Sequence, residues 1–166
     1  MNVRVAIDGS KEEADVLASP SAFFVDQANA KAIVEQKSYC HVKGRSVKAI
    51  VPACSPTVAS QTPAADFERL RACYLACLLA AAGAGAKSIV VRPLGVGVRM
   101  TRTSTRGRTL PDGLWGNLFW SHAKSALAAK AAVEEACQSV PGDIDVVFVV
   151  PSEALDDWDG AMQFGR

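Results

Sequence analysis

What this chain lacks narrows its function first. Its five cysteines, Cys40, Cys54, Cys73, Cys77 and Cys137, form no C-x-x-C pair. An odd count without framework spacing argues against a disulfide scaffold and for reduced thiols. The two histidines, His41 and His122, lack metal-ligand spacing, so no metal is expected. Aromatic residues are only 7% of the chain, which leaves helices to pack on small side chains, alanine above all. The uncharged, alanine- and glycine-rich stretch Ala72–Ala86 falls short of the roughly 20 apolar residues that cross a bilayer. The N-terminus enters a strand-like run at once and carries no signal-peptide layout, so a cytoplasmic protein with no membrane partner is expected. Internal repeats and long linkers are missing too, which suggests a single domain over residues 1–166.

One sign of charge is also missing locally. Between Glu68 and Asp112 there is no acidic residue, yet Arg69, Arg71, Lys87, Arg92, Arg99, Arg102, Arg106 and Arg108 lie there. Acidic residues gather instead from Glu134 onward, so the net charge of +1 hides an uneven layout. A one-sign block attracts anionic partners even in a neutral chain, although a solvated surface reads the same way.

What is present is an alternation. Strand-like runs stand at Val3–Ile7, Ala22–Asp26, Val47–Val51, Ser88–Arg92 and Ile144–Val150, rich in β-branched residues and bounded by turn residues. Ser88–Arg92 and Ile144–Val150 are near-continuously apolar, as inner strands covered on both faces are. Thr62-Pro63 opens a helix whose stripe is Phe67, Leu70, Tyr74, Cys77, Leu78 and Ala81, closed by Gly83 or Gly85. A second helix is expected from about Asn117 to Gln138, a short acidic one over Ser152–Met162, and shorter ones at Lys11–Leu17 and Asn29–Glu35. The pattern predicts an α/β fold, a three-layer α/β/α sandwich with a mixed central sheet.

In such sheets ligands sit at the carboxyl ends of the strands. Three loops there carry distinctive residues: Asp8-Gly9-Ser10, Asp26-Gln27-Ala28-Asn29, and Gly95-Val96-Gly97-Val98-Arg99. A carboxylate can accept from a base amino group, and an amide side chain suits a ribose or carbonyl. Glycines can turn backbone amides into an anion-binding nest, which flanking arginines reinforce. Together these suit a nucleotide diphosphate. Each has a plainer reading as well: Asp8 as a turn residue, Asn29 as a helix cap, and the glycines as a tight strand-to-helix turn.

The same segments resemble the macro domain family of ADP-ribose-binding modules. Phe24-Val25-Asp26-Gln27-Ala28-Asn29-Ala30 is similar to that family's Val-Asn-Ala-Ala-Asn motif. Pro93–Arg99 resembles its phosphate loop, one residue shorter after the proline and with Arg99 in place of an aromatic. Ile7-Asp8-Gly9 is matched to its Gly-Asp-Ile segment, and Ala86–Val91 to the strand before its phosphate loop. Val47–Pro52 and Val146–Trp158 resemble an inner strand and the closing strand with its acidic helix. The resemblance implies adenine binding at Asp8, ribose binding at Asn29, and phosphate binding at Gly95, Gly97 and Val98; Val96 and Arg99 of the same loop complete the candidate ligand-binding set. It implies no cofactor. The family's Gly-Gly-Gly-Val loop, central to its de-ADP-ribosylating members, has no counterpart after Asn29, and hydrolase activity is not expected.

Three functions follow from these residues. The first is a binding module for ADP-ribose or a related nucleotide. The second is an ADP-ribosyl hydrolase using Asn29 and a water. The third is a macro-like fold whose nucleotide site has decayed and which binds RNA or a protein. In the third, Arg102, Arg106 and Arg108 would meet RNA or poly(ADP-ribose), with Trp115, Phe119 and Trp120 as the nearest aromatics, unless those are helix core.

Overall fold

A computed structural model describes residues 1–7, 14–20, 40–42, 45–53, 63–96 and 120–163. Six strands form one sheet: β1 (Asn2–Ile7), β2 (Ala14–Pro20), β3 (Cys40–Val42), β4 (Arg45–Ala53), β5 (Ser88–Val91) and β6 (Asp145–Val150). Their order is β1-β6-β5-β2-β4-β3. The first five strands in that order run parallel, and β3 is antiparallel to β4 at the edge. The sheet is therefore mixed, with β5 and β6 inside it, as their apolar continuity predicts.

Three helices are described: α1 (Pro63–Gly83), α2 (His122–Ser139) and α3 (Leu155–Ala161), the last entered through a 3₁₀ turn at Ser152–Ala154. On one face of the sheet, Leu70, Tyr74, Cys77, Leu78 and Ala81 of α1 join Ala126, Ala129, Ala132 and Val133 of α2. They pack over Val16, Ile89, Val91, Val146, Phe148 and Val150. Burying each large apolar side chain in this layer contributes about 1.5–3 kcal/mol. The alternate residues Leu17, Val90, Val147 and Val149 form a second buried cluster on the opposite face. Both faces of the sheet are thus covered, which makes the fold an α/β sandwich.

Local chemistry explains the helix ends. After α1, Gly85 takes φ +71°, its N–H reaches the Ala82 carbonyl at 2.9 Å, and the Ala86 N–H reaches Ala81 at 3.0 Å. This is a Schellman termination, whose left-handed position favours glycine. It delivers the chain directly into β5. Helix α2 is capped by Ser121, whose hydroxyl accepts from the Lys124 N–H at 3.3 Å.

Two expectations are corrected. The described part of the helix expected at Lys11–Leu17 is strand instead: Ala14–Pro20 is β2, paired between β4 and β5. Val16-Leu17-Ala18 gains two hydrogen-bonded neighbours in the sheet, which outweighs any weak helical preference in so short a run. The second helix begins at His122 rather than near Asn117, because Ser121 caps it and Trp120 is not helical. The expected strand at Ala22–Asp26 and helix at Asn29–Glu35 lie outside the described residues.

Candidate functional site

The carboxyl ends of β1, β6, β5, β2 and β4 share one edge of the sheet. At this edge the chain leaves β5 through Arg92–Val96, with Pro93, Leu94 and Gly95 buried. The Arg92 N–H still donates to the Ala18 carbonyl of β2, at 3.0 Å, so the loop starts from a fixed point.

The helical layer then holds Leu94 by both of its backbone groups. Its N–H donates to Tyr74 Oη at 2.6 Å, and Ser125 Oγ donates to its carbonyl at 2.7 Å. Tyr74 Oη and Ser125 Oγ are themselves 2.6 Å apart. The single serine hydroxyl proton is already used on Leu94, so the tyrosine donates in this third bond. The result is a closed ring of three buried hydrogen bonds linking α1, α2 and the loop. Burial pushes the Tyr74 phenol well above its usual range, against the opposing effect of its bonds to Ser125 and Leu94. It acts here as a neutral hydroxyl.

Gly95 follows with φ +72°. A Cβ at this position would stand 2.7 Å from Trp120 Cδ1 and 3.1 Å from Leu70 Cδ1. Its carbonyl accepts from the Trp120 N–H at 2.8 Å. Trp120 is only 7% exposed and meets Phe67 edge-on, with ring centroids 6.4 Å apart. It is core, seated against the glycine, and so is not a platform for stacking nucleic-acid bases. Below this layer Tyr74, Phe148 and Trp158 form an aromatic cluster. The Trp158 Nε1–H donates to His122 Nδ1 at 3.3 Å, tying α3 to the start of α2.

Of the ligand-binding and polyanion-binding residues expected from the sequence, the structure describes Gly95 and Val96, both on this loop. Asp8 immediately follows Ile7, which ends β1 at the same edge with 44% of its surface exposed. One strand, β6, separates β1 from β5, so Ile7 stands two interstrand spacings, roughly 10 Å, from the line of β5. Asp8, Asn29, Gly97, Val98, Arg99, Arg102, Arg106 and Arg108 lie outside the described residues. Because β2 ends at Pro20, the Phe24–Ala30 segment is separated from that strand by several residues.

Nothing in the sequence marks Tyr74 and Ser125 as parts of this site. Ser125 carries the one available signal: it is the only polar member of α2's buried stripe. Among the described residues no cluster of His, Cys, Asp or Glu could hold a metal ion, and no helix is long and apolar enough to cross a membrane. A shallow hollow of about 220 Å³, lined by Asn2, Arg4 and Asp145, lies at the amino ends of β1 and β6. It is at the other end of the sheet from the loop.

Comparison with solved structures places this architecture. The chain superposes on a point mutant of the Oceanobacillus iheyensis macrodomain with a TM-score of 0.59, covering 97% of this chain and 89% of that one. The fold is macro-domain-like. Sequence identity over that superposition is 13%, so the likeness is one of fold alone. No protein-family description and no curated protein matches the sequence. The macro-domain-like architecture supports the α/β reading of the chain.

Proposed function

We propose that this chain is a binding module for ADP-ribose or a related nucleotide diphosphate, received at the carboxyl edge of the sheet. The observation that carries this reading is the loop after β5. Its backbone is locked through Leu94 and Gly95 on the side of the helices, at the edge where α/β folds bind nucleotides, within a macro-domain-like architecture. The diphosphate lies against Gly95, Val96, Gly97 and Val98, with Arg99 supplying charge-assisted contacts. Asp8 accepts from the adenine amino group, and the exposed Ile7 beside it offers apolar surface to the base. Asn29 contacts a ribose.

A thermal-shift panel of ADP-ribose, AMP, NAD and a short RNA tests the assignment. ADP-ribose at 100 times its dissociation constant stabilises the fold by about 2.7 kcal/mol. Gly97→Val abolishes the shift if its amide belongs to the nest. No shift at millimolar ADP-ribose, with a shift on RNA, would transfer the assignment to the arginine-rich segment.

A further inference from the structure

The ring formed by Tyr74, Ser125 and Leu94 does more than fill the core. A planar trans peptide points its carbonyl and its N–H in opposite directions, and the described chain has no cis peptide bond. The Leu94 carbonyl is turned to Ser125 on α2. The N–H of the same peptide unit, that of Gly95, is therefore turned away from α2. The Gly95 carbonyl is likewise turned to the Trp120 N–H at the entry to α2, so the Val96 N–H points away from it. Two successive amides are aimed out of the helical layer because their carbonyls are held into it.

Glycine accepts either sign of φ at little cost, so Gly95 does not by itself choose between the two senses of the Leu94–Gly95 peptide. The choice is made by the hydrogen bonds. Reversing that peptide would strand the Ser125 hydroxyl and leave the buried Leu94 carbonyl without its donor, each a costly loss.

We infer that Tyr74 and Ser125 are positioning residues, which fix the sense of the Leu94–Gly95 peptide and so orient the Gly95 and Val96 amides for an anionic group at the strand edge. The identity of that anion rests on the nucleotide reading above, but the orientation of the amides does not. Tyr74 acts through Ser125 and through the Leu94 N–H, and neither side chain touches the ligand.

The test uses ¹⁵N-labelled protein and two variants, Ser125→Ala and Tyr74→Phe, with Val133→Ala as a control. Val133 is buried on the same helix but belongs to the apolar core. Spectra without ligand read the loop directly. Ser125→Ala is expected to shift or split the Gly95 and Val96 amide resonances and to speed exchange of the Leu94 N–H, while Val133→Ala leaves them in place. Calorimetric titration with ADP-ribose, at a temperature where every variant is folded, is expected to show affinity three- to tenfold weaker for Ser125→Ala, roughly the worth of one hydrogen bond, and unchanged for Val133→Ala. Tyr74→Phe gives the same pattern and serves as the deciding variant if Ser125→Ala fails to fold. Unmoved Gly95 and Val96 resonances, or equal changes in Val133→Ala, overturn the positioning role. If the wild type binds no ADP-ribose, the nucleotide reading fails alone, and the spectra still decide the role of the ring.

Discussion

Gly95→Ala is the sharpest probe of the loop, because two separate costs meet at one carbon. The first is conformational: at φ +72° an L side chain crowds the following carbonyl, costing about 1–2 kcal/mol. The second is steric. The new Cβ would stand 2.7 Å from Trp120 Cδ1 and 3.1 Å from Leu70 Cδ1, and both neighbours are buried. Forcing a methyl into such a site typically costs about 1–3 kcal/mol. Stiffening of the unfolded chain by alanine returns about 0.4–1 kcal/mol. The expected net loss is about 2–4 kcal/mol, read from urea denaturation at constant slope. For a chain of this size a loss of about 3 kcal/mol corresponds to a midpoint about 6–12 °C lower. A double-mutant cycle separates the two costs. In a Trp120→Leu background the steric part should shrink while the backbone part of about 1 kcal/mol persists. A Gly95→Ala protein as stable as wild type, to within about 0.5 kcal/mol, would falsify both the left-handed backbone and the close approach of the indole.

Other outcomes can be checked independently. Burial, with a smaller effect of Cys73, pushes the Cys77 thiol up to about 12 from an unfolded value near 9. Its contribution to stability is thus present below about pH 9 and lost as pH climbs toward 12, and Cys77→Ala should flatten that alkaline decline in urea-midpoint measurements. Replacing Arg102, Arg106 and Arg108 by Ala should reduce the salt dependence of binding to a short RNA by about 0.7 for each phosphate these arginines neutralise and leave ADP-ribose affinity nearly unchanged. A salt-independent wild-type affinity would return them to an ordinary solvated surface. Mono-ADP-ribosylated protein should be hydrolysed slowly or not at all, and turnover of about 1 per second or faster would show that no glycine-rich loop of the kind found in de-ADP-ribosylating macro domains is needed here.

The elements easiest to read from the sequence are those with redundant local signals. Helix α1 has an opening proline, a helical stripe and Gly85 at its end, and the structure uses the stripe and Gly85 as expected. Strands β5 and β6 announce themselves through apolar continuity, which their inner places in the sheet explain. Strand β2 is hidden because Ala14–Pro20 owes its conformation to partners on either side, and those partners are distant in sequence. The start of α2 is blurred because Trp120 looks like one more apolar residue of the helix, whereas it packs on Gly95 ahead of the Ser121 cap. For the candidate site, the glycine at the turn is legible. The serine and tyrosine that hold it are not, since each looks like an ordinary member of a helix stripe until α1 and α2 are brought together.

The pairing of β1 with β6 has a consequence for how the chain is made. Asn2–Ile7 leaves the ribosome first of all the described strands, yet its only neighbour among them is Asp145–Val150, the last to emerge. At synthesis rates of about 5–20 residues per second, β1 waits roughly 7–30 s for its partner. Through that interval Val3 and Val5 lack their native sheet partner, and once β5 has been made its edge destined for β6 is open as well. A nascent chain stalled before Ile144 should therefore remain protease-sensitive at β1, and release of the residues of β6 should protect β1 and β6 together.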